Sequence, residues 1–141
     1  MKSQQLLLPL IALTLVLVLQ SPGTASAQDK KQYSARLISP QAGQVVSPGQ
    51  VVRIAWTANF PHVDLSYCET EVFLSLDGGK TIYGRLTESR NPAVQYFDWT
   101  VPNTPTSEAV LDIRFGCLNI YPETSSIQVQ SAFVISPPPA L

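Results

Sequence analysis

Histidine is nearly missing from this chain, with His62 its one representative, and cysteine is confined to Cys68 and Cys117. A single imidazole excludes any site built from several histidines, and two thiols are too few for a disulfide-dense mini-scaffold. Charge is sparse as well. Charged residues make up 13% of the 141, and 9 basic against 10 acidic side chains leave a net charge of −1. That balance excludes a basic nucleic-acid binder and an acidic disordered tail. Helical amphipathicity is also lacking: beyond the N-terminal apolar run, no stretch carries apolar residues at i, i+3, i+4 and i+7 with caps at its ends.

What the N-terminus does carry is Lys2, an apolar run over 6–19, and the small-residue triplet Ala25, Ser26, Ala27. This order is that of a secretory signal peptide, and a run of 14 residues falls short of the roughly 20 that cross a bilayer as a helix. Cleavage is expected after Ala27. The layout that follows is a signal peptide over 1–27, a polar leader over 28–32, one domain over 33–135 and a Pro-rich tail over 136–141. No cysteine available for lipid attachment follows the run, and no second apolar span occurs downstream. The expected product is secreted or periplasmic, without stable membrane insertion.

Between leader and tail, Pro or Gly recurs about every ten residues, and the intervening segments are rich in Val, Ile, Thr, Tyr, Phe and Trp. Several alternate with period two: Val52, Ile54, Trp56; Val72, Leu74, Leu76; Leu111, Ile113, Phe115; and Ile127, Val129, each set offset from more polar neighbours. Seven strands are expected, over 34–39, 50–58, 69–76, 81–87, 94–101, 109–117 and 126–135. The fold class is all-β, a seven-stranded antiparallel immunoglobulin-like sandwich, with a small closed barrel as the alternative. The connections over 102–108 and 118–124 suit crossovers between sheets.

The two cysteines test this pairing. Cys68 is in phase with Val72 and Leu74, and Cys117 with Ile113 and Phe115, so both point to one face. In the sandwich the third and sixth strands are antiparallel neighbours, which sets the start of one beside the end of the other. A bond here closes a loop of about 50 residues, worth roughly 4 kcal/mol in the chain-entropy model less any strain. Redox or metal use would need C-x-x-C spacing or histidine partners, and neither is present.

The segment Ser75-Leu76-Asp77-Gly78-Gly79-Lys80-Thr81 reads as a hairpin: Asp77 bonds backbone two residues on, and Gly78 and Gly79 accept positive φ. With Pro40 and Gly43, Val52 to Thr57, and Phe97-Asp98-Trp99-Thr100, it resembles the immunoglobulin-like and fibronectin-type-III-like modules of bacterial secreted proteins. The opening is also similar to the domain of fungal cell-wall assembly proteins. The resemblance implies a sandwich with Trp56 and Trp99 in its core; an exposed aromatic platform for sugars is the alternative. Such motifs specify fold more than function.

Chemistry is thin. Asp64, Glu69, Glu71, Asp77, Asp98 and Asp112 show no spacing that selects a catalytic pair, and His62 has no nucleophile motif beside it. No catalytic residue, metal ligand or cofactor is expected. The loops at the cysteine end, in contrast, carry Phe60, His62, Tyr67, Leu118, Ile120 and Tyr121, more apolar residues than solvated loops need. Either they cover the open end of the core or they form a contact patch for an unknown protein or glycan. The expected function is a non-enzymatic binding or accessory module at the cell envelope or outside it. The alternatives are a structural spacer or envelope assembly subunit, and a small secreted inhibitor.

Overall fold

The structure, a computed structural model, describes residues 32–141. The expected signal peptide, its cleavage point and the leader before Gln32 lie outside the described residues. The Val, Ile and aromatic alternation forms strands, as its period requires: β1 Ser34–Ser39, β2 Val45–Val46, β3 Val51–Asn59, β4 Cys68–Ser75, β5 Gly84–Arg85, β6 Tyr96–Thr100, β7 Thr106–Cys117, β8 Tyr121–Thr124 and β9 Phe133–Ile135. Two 3₁₀ turns, Leu65–Tyr67 and Val129–Ser131, are the only helical elements among the described residues.

The strands form two sheets. One has three strands in the order β1-β3-β6; the other runs β2-β9-β7-β4-β5, with β8 also paired to β7. The long β7 is the spine of the larger sheet, paired with β4 over an unbroken register from Cys68↔Cys117 to Ser75↔Val110. The inner positions of the alternation meet between the sheets: Ile54, Leu74, Leu111 and Ile113 are fully buried. Trp56 and Trp99 are buried with them, each edge-on to a phenylalanine, Phe97 at 6.4 Å and Phe133 at 6.3 Å.

The expected seven antiparallel strands become nine, and one pairing is parallel. After Ser39 the chain leaves the smaller sheet, and β2 joins the larger one alongside β9, Val45 beside Val134. Two residues carry no periodicity, so the segment shows no strand signal. The stretch over 118–124 is not a crossover. It turns tightly at Asn119, which adopts φ +57°, and returns as β8 on the same sheet.

A second correction concerns the last strand. Ile127 and Val129 face outward and Gln128 is buried, at 1% exposure. The odd positions are inward again at Phe133 and Ile135, because the 3₁₀ turn Val129–Ser131 breaks the alternation between the two stretches. Gln128 has work inside. Its Oε1 accepts from Leu37 N at 2.9 Å and its Nε2 donates to Ala35 O at 3.0 Å. Ser126 Oγ accepts from Ala35 N at 3.1 Å. These side chains satisfy the edge of β1 that no strand covers, offsetting the cost of burying an amide.

The Asp77-Gly78-Gly79 segment is a turn with positive φ at both glycines. Asp77 reaches further than expected: Oδ1 accepts from Thr81 N at 2.9 Å and Ser75 Oγ at 2.7 Å, and Oδ2 from Thr81 Oγ1 at 2.7 Å. Thr81's bonds lead in holding this carboxyl down at about 2. The ladder resumes only at Tyr83, whose N–H donates to Leu74 O, so the returning strand is β5 rather than the longer 81–87. Gly79 is tied to its place by more than φ. A Cβ there would stand 2.9 Å from Ile127 Cγ2.

Candidate functional site

The pole of the sandwich at Cys68 and Cys117 is built from two loops. In the first, between β3 and β4, Asp64 Oδ1 accepts from Ser66 N at 3.0 Å and Ser66 Oγ at 2.7 Å. These bonds cap the turn Leu65–Tyr67 and hold the Asp64 carboxyl below the usual range, so Tyr67 is presented just ahead of Cys68. In the second, Ile120 N donates to Cys117 O at 3.1 Å and closes the β7–β8 turn. The Cys68–Cys117 disulfide, with Cα atoms 4.0 Å apart, joins the two loop roots.

Beneath the loops lies a small aromatic cluster around the fully buried Phe115. Ring centroids of Tyr33 and Phe60 are each 5.0 Å from it, and that of Tyr121 is 5.7 Å away. Tyr33 OH donates to Ile113 O at 3.0 Å, and burial, reinforced by Asp112, drives the phenol's pKa upward. Tyr121 OH accepts from Tyr33 N at 3.2 Å. Phe60 and Tyr121 are thus half-buried members of the cover over the core.

Val63 and Leu65 pack against the same cluster, but three other apolar loop side chains do not. Tyr67 is 65% exposed, Leu118 80% and Ile120 53%. They border an open cleft of about 830 Å³. Of the six residues the sequence picks out in these loops, Tyr67, Leu118, Ile120 and Tyr121 line this cleft; Phe60 packs in the aromatic cluster instead, and His62 is exposed outside the lining.

The cleft extends onto the outer face of the larger sheet, a face that carries no motif in the sequence. Glu69, Glu71, Arg114, Gly116 and Glu123 line it. Arg114 is the centre of this face: Nε donates to Asp112 Oδ2 at 2.7 Å, Nη1 donates to Glu123 Oε1 at 2.9 Å, and its guanidinium lies 4.2 Å from the centroid of the Phe73 ring. The Asp112 bond, then that of Glu123, raises the Arg114 pKa. Glu71 Oε1 accepts from Arg85 Nη1 at 2.8 Å. Gly116 forms part of the floor because β8 passes close above it; a Cβ there would be 3.1 Å from Glu123 Cα. The signal for this set lies in the disulfide itself. With Cys68 opposite Cys117, antiparallel pairing places Glu69 opposite Gly116 and Glu71 opposite Arg114.

The cleft presents apolar walls, carboxylates and one guanidinium already committed to carboxylates. Among the described residues, no group of three or more His, Cys, Asp and Glu stands close enough to hold a metal ion, and no helix is long and apolar enough to cross a membrane. No protein-family model matches the chain, and no curated protein or solved structure shows a significant likeness to it.

Proposed function

We propose that this chain is an exported, non-enzymatic β-sandwich of the immunoglobulin-like or fibronectin-type-III-like kind that binds a protein or glycan partner through its disulfide-pinned end. The observation that carries the reading is the division of labour at that pole. Phe60 and Tyr121 pack against the aromatic cluster, while Tyr67, Leu118 and Ile120 stand exposed around the cleft and do not pack into it. Exposed apolar groups on a rigid, cross-linked frame lose little conformational freedom when a partner covers them. Export is supported by the disulfide, which persists in oxidising compartments, and by the order of residues before Gln28. The sandwich topology, with strand exchange between sheets at β2, supports the module reading.

The test compares capture by the exported wild type with capture by Tyr67→Ser combined with Ile120→Ser. The bait is presented to envelope and secreted fractions of the native host and to a glycan array. One ligand retained by the wild type and lost by the double variant, at an unchanged unfolding midpoint, is the expected result. Capture that ignores both substitutions favours the alternative, a spacer or assembly subunit using its exposed tail over 136–141.

A further inference from the structure

The outer face of the larger sheet is out of balance. Asp112, Glu69, Glu71, Glu88 and Glu123 supply five carboxylates, against the guanidiniums of Arg85 and Arg114. Both guanidiniums are shared between two carboxylates, Arg85 by Glu71 and Glu88, and Arg114 by Asp112 and Glu123. The nearby Arg90 gives no relief, because it turns to the other sheet, donating to Tyr96 O at 2.9 Å and lying over the Phe97 ring. Glu69 enters no ion pair among the described residues and stands exposed in the cleft lining, next in sequence to the disulfide and two residues from Tyr67. This face therefore carries about three excess negative charges in a chain whose total is −1.

Excess negative charge beside exposed apolar walls sets a narrow chemical demand. The occupant needs a cation on an apolar stem, so that the stem covers Tyr67, Leu118 and Ile120 while the charge reaches the carboxylates. Lysine and arginine side chains have that shape, and a tyrosine ring face adds attraction for either cation. An acidic glycan is repelled here, and a neutral one leaves the charge unanswered. The cleft of about 830 Å³ has room for several side chains. Building on the reading of this cleft as a partner-binding surface, we infer that its occupant is a basic peptide segment of a partner protein. One Lys or Arg of that segment lies at Glu69, and its apolar neighbours lie against Tyr67 and Ile120.

The probe is a displayed library of random nonapeptides selected on the protein purified after export. Enriched sequences are expected to be net basic with an apolar residue adjacent to Lys or Arg. By fluorescence anisotropy, an enriched peptide should bind about tenfold or more weakly to Tyr67→Ser. It should bind about three- to fivefold more weakly to Glu69→Gln, with affinity falling between 50 and 300 mM NaCl, as expected for an exposed pair. Both substituted side chains are exposed, and an unchanged unfolding midpoint establishes that each variant is folded.

Enrichment of neutral or acidic peptides that depend on Tyr67 overturns the cationic inference while leaving the cleft a binding surface. Neutral-glycan binding lost in Tyr67→Ser does the same in favour of a sugar. Enriched peptides indifferent to both substitutions, or no enrichment, overturn the peptide proposal. Capture that ignores Tyr67 and Ile120 in the earlier pull-down is the separate result that removes the binding reading itself.

Discussion

The central core and the aromatic cluster at the disulfide pole differ in where their residues come from. In the first, Ile54, Leu74, Leu111 and Ile113 are contributed by paired strands at alternating positions, so each side chain is fixed by a ladder. In the second, Phe115 and Cys117 stand on β7, with Ala58 and Cys68 reaching it from β3 and β4, but the other rings do not come from sheet interiors. Tyr33 comes from the chain just ahead of β1, Phe60 from a loop, and Tyr121 from the start of β8. Loops without a ladder lose more order when their contacts fail, and here the cross-link at Cys68 and Cys117 takes the place of the missing ladder. The apolar loop side of the cleft is mounted on the second kind of construction, and its charged side on the β4–β7 ladder.

The sharpest way to break the contrast is to damage the ladder-built core. Trp99→Ala should cost about 3–5 kcal/mol in denaturant unfolding, through lost burial and the cavity left against Phe133. Replacing Cys68 and Cys117 together by Ala should cost about 2–4 kcal/mol. Its distinctive result is local: hydrogen exchange at Tyr33 and Tyr121 should quicken more than at Ile54 and Leu111. Equal quickening at both places would erase the distinction between the clusters.

A smaller effect separates the two poles by pH. Tyr33 is neutral in the fold and its pKa is raised by burial, so its contribution is complete below the ordinary tyrosine value of about 10 and is lost as pH rises beyond it. Tyr33→Phe should flatten the alkaline limb of urea midpoints. Asp77, in the turn at the far pole, behaves in the opposite sense. Its folded value of about 2 lies below the ordinary 3.8, so its contribution is present above 3.8 and is lost as pH falls through about 2. Asp77→Asn should flatten the acid limb alone.

Much of this was legible in residue order because a strand pleat repeats every two residues. Val52, Ile54 and Trp56 face inward on β3 as their spacing demands, and the phase of Cys68 and Cys117 leads to the bond that the structure contains. Legibility failed where something other than the pleat decides. Gln128 is inward because an uncovered strand edge needs its amide, a requirement that belongs to β1 some ninety residues earlier. The two-residue β2 exists through its neighbour β9, and β8 through a left-handed Asn119. In the site, Tyr67, Ile120 and Tyr121 were readable as loop residues out of place in water. Whether each covers the core or borders a cleft is settled by depth, which no local pattern encodes. Glu69 and Arg114 come together only through cross-strand register.

The side-chain seal along β1 also bears on how crowded copies of this protein behave. A bare strand edge is a template on which another molecule can add its own strand. With Leu37 N held by Gln128, Ala35 N by Ser126 and Ala35 O by both, that template is already filled by groups too short to continue it. The amide that closes the seam of one sandwich thereby denies a neighbouring sandwich the place to begin a shared sheet.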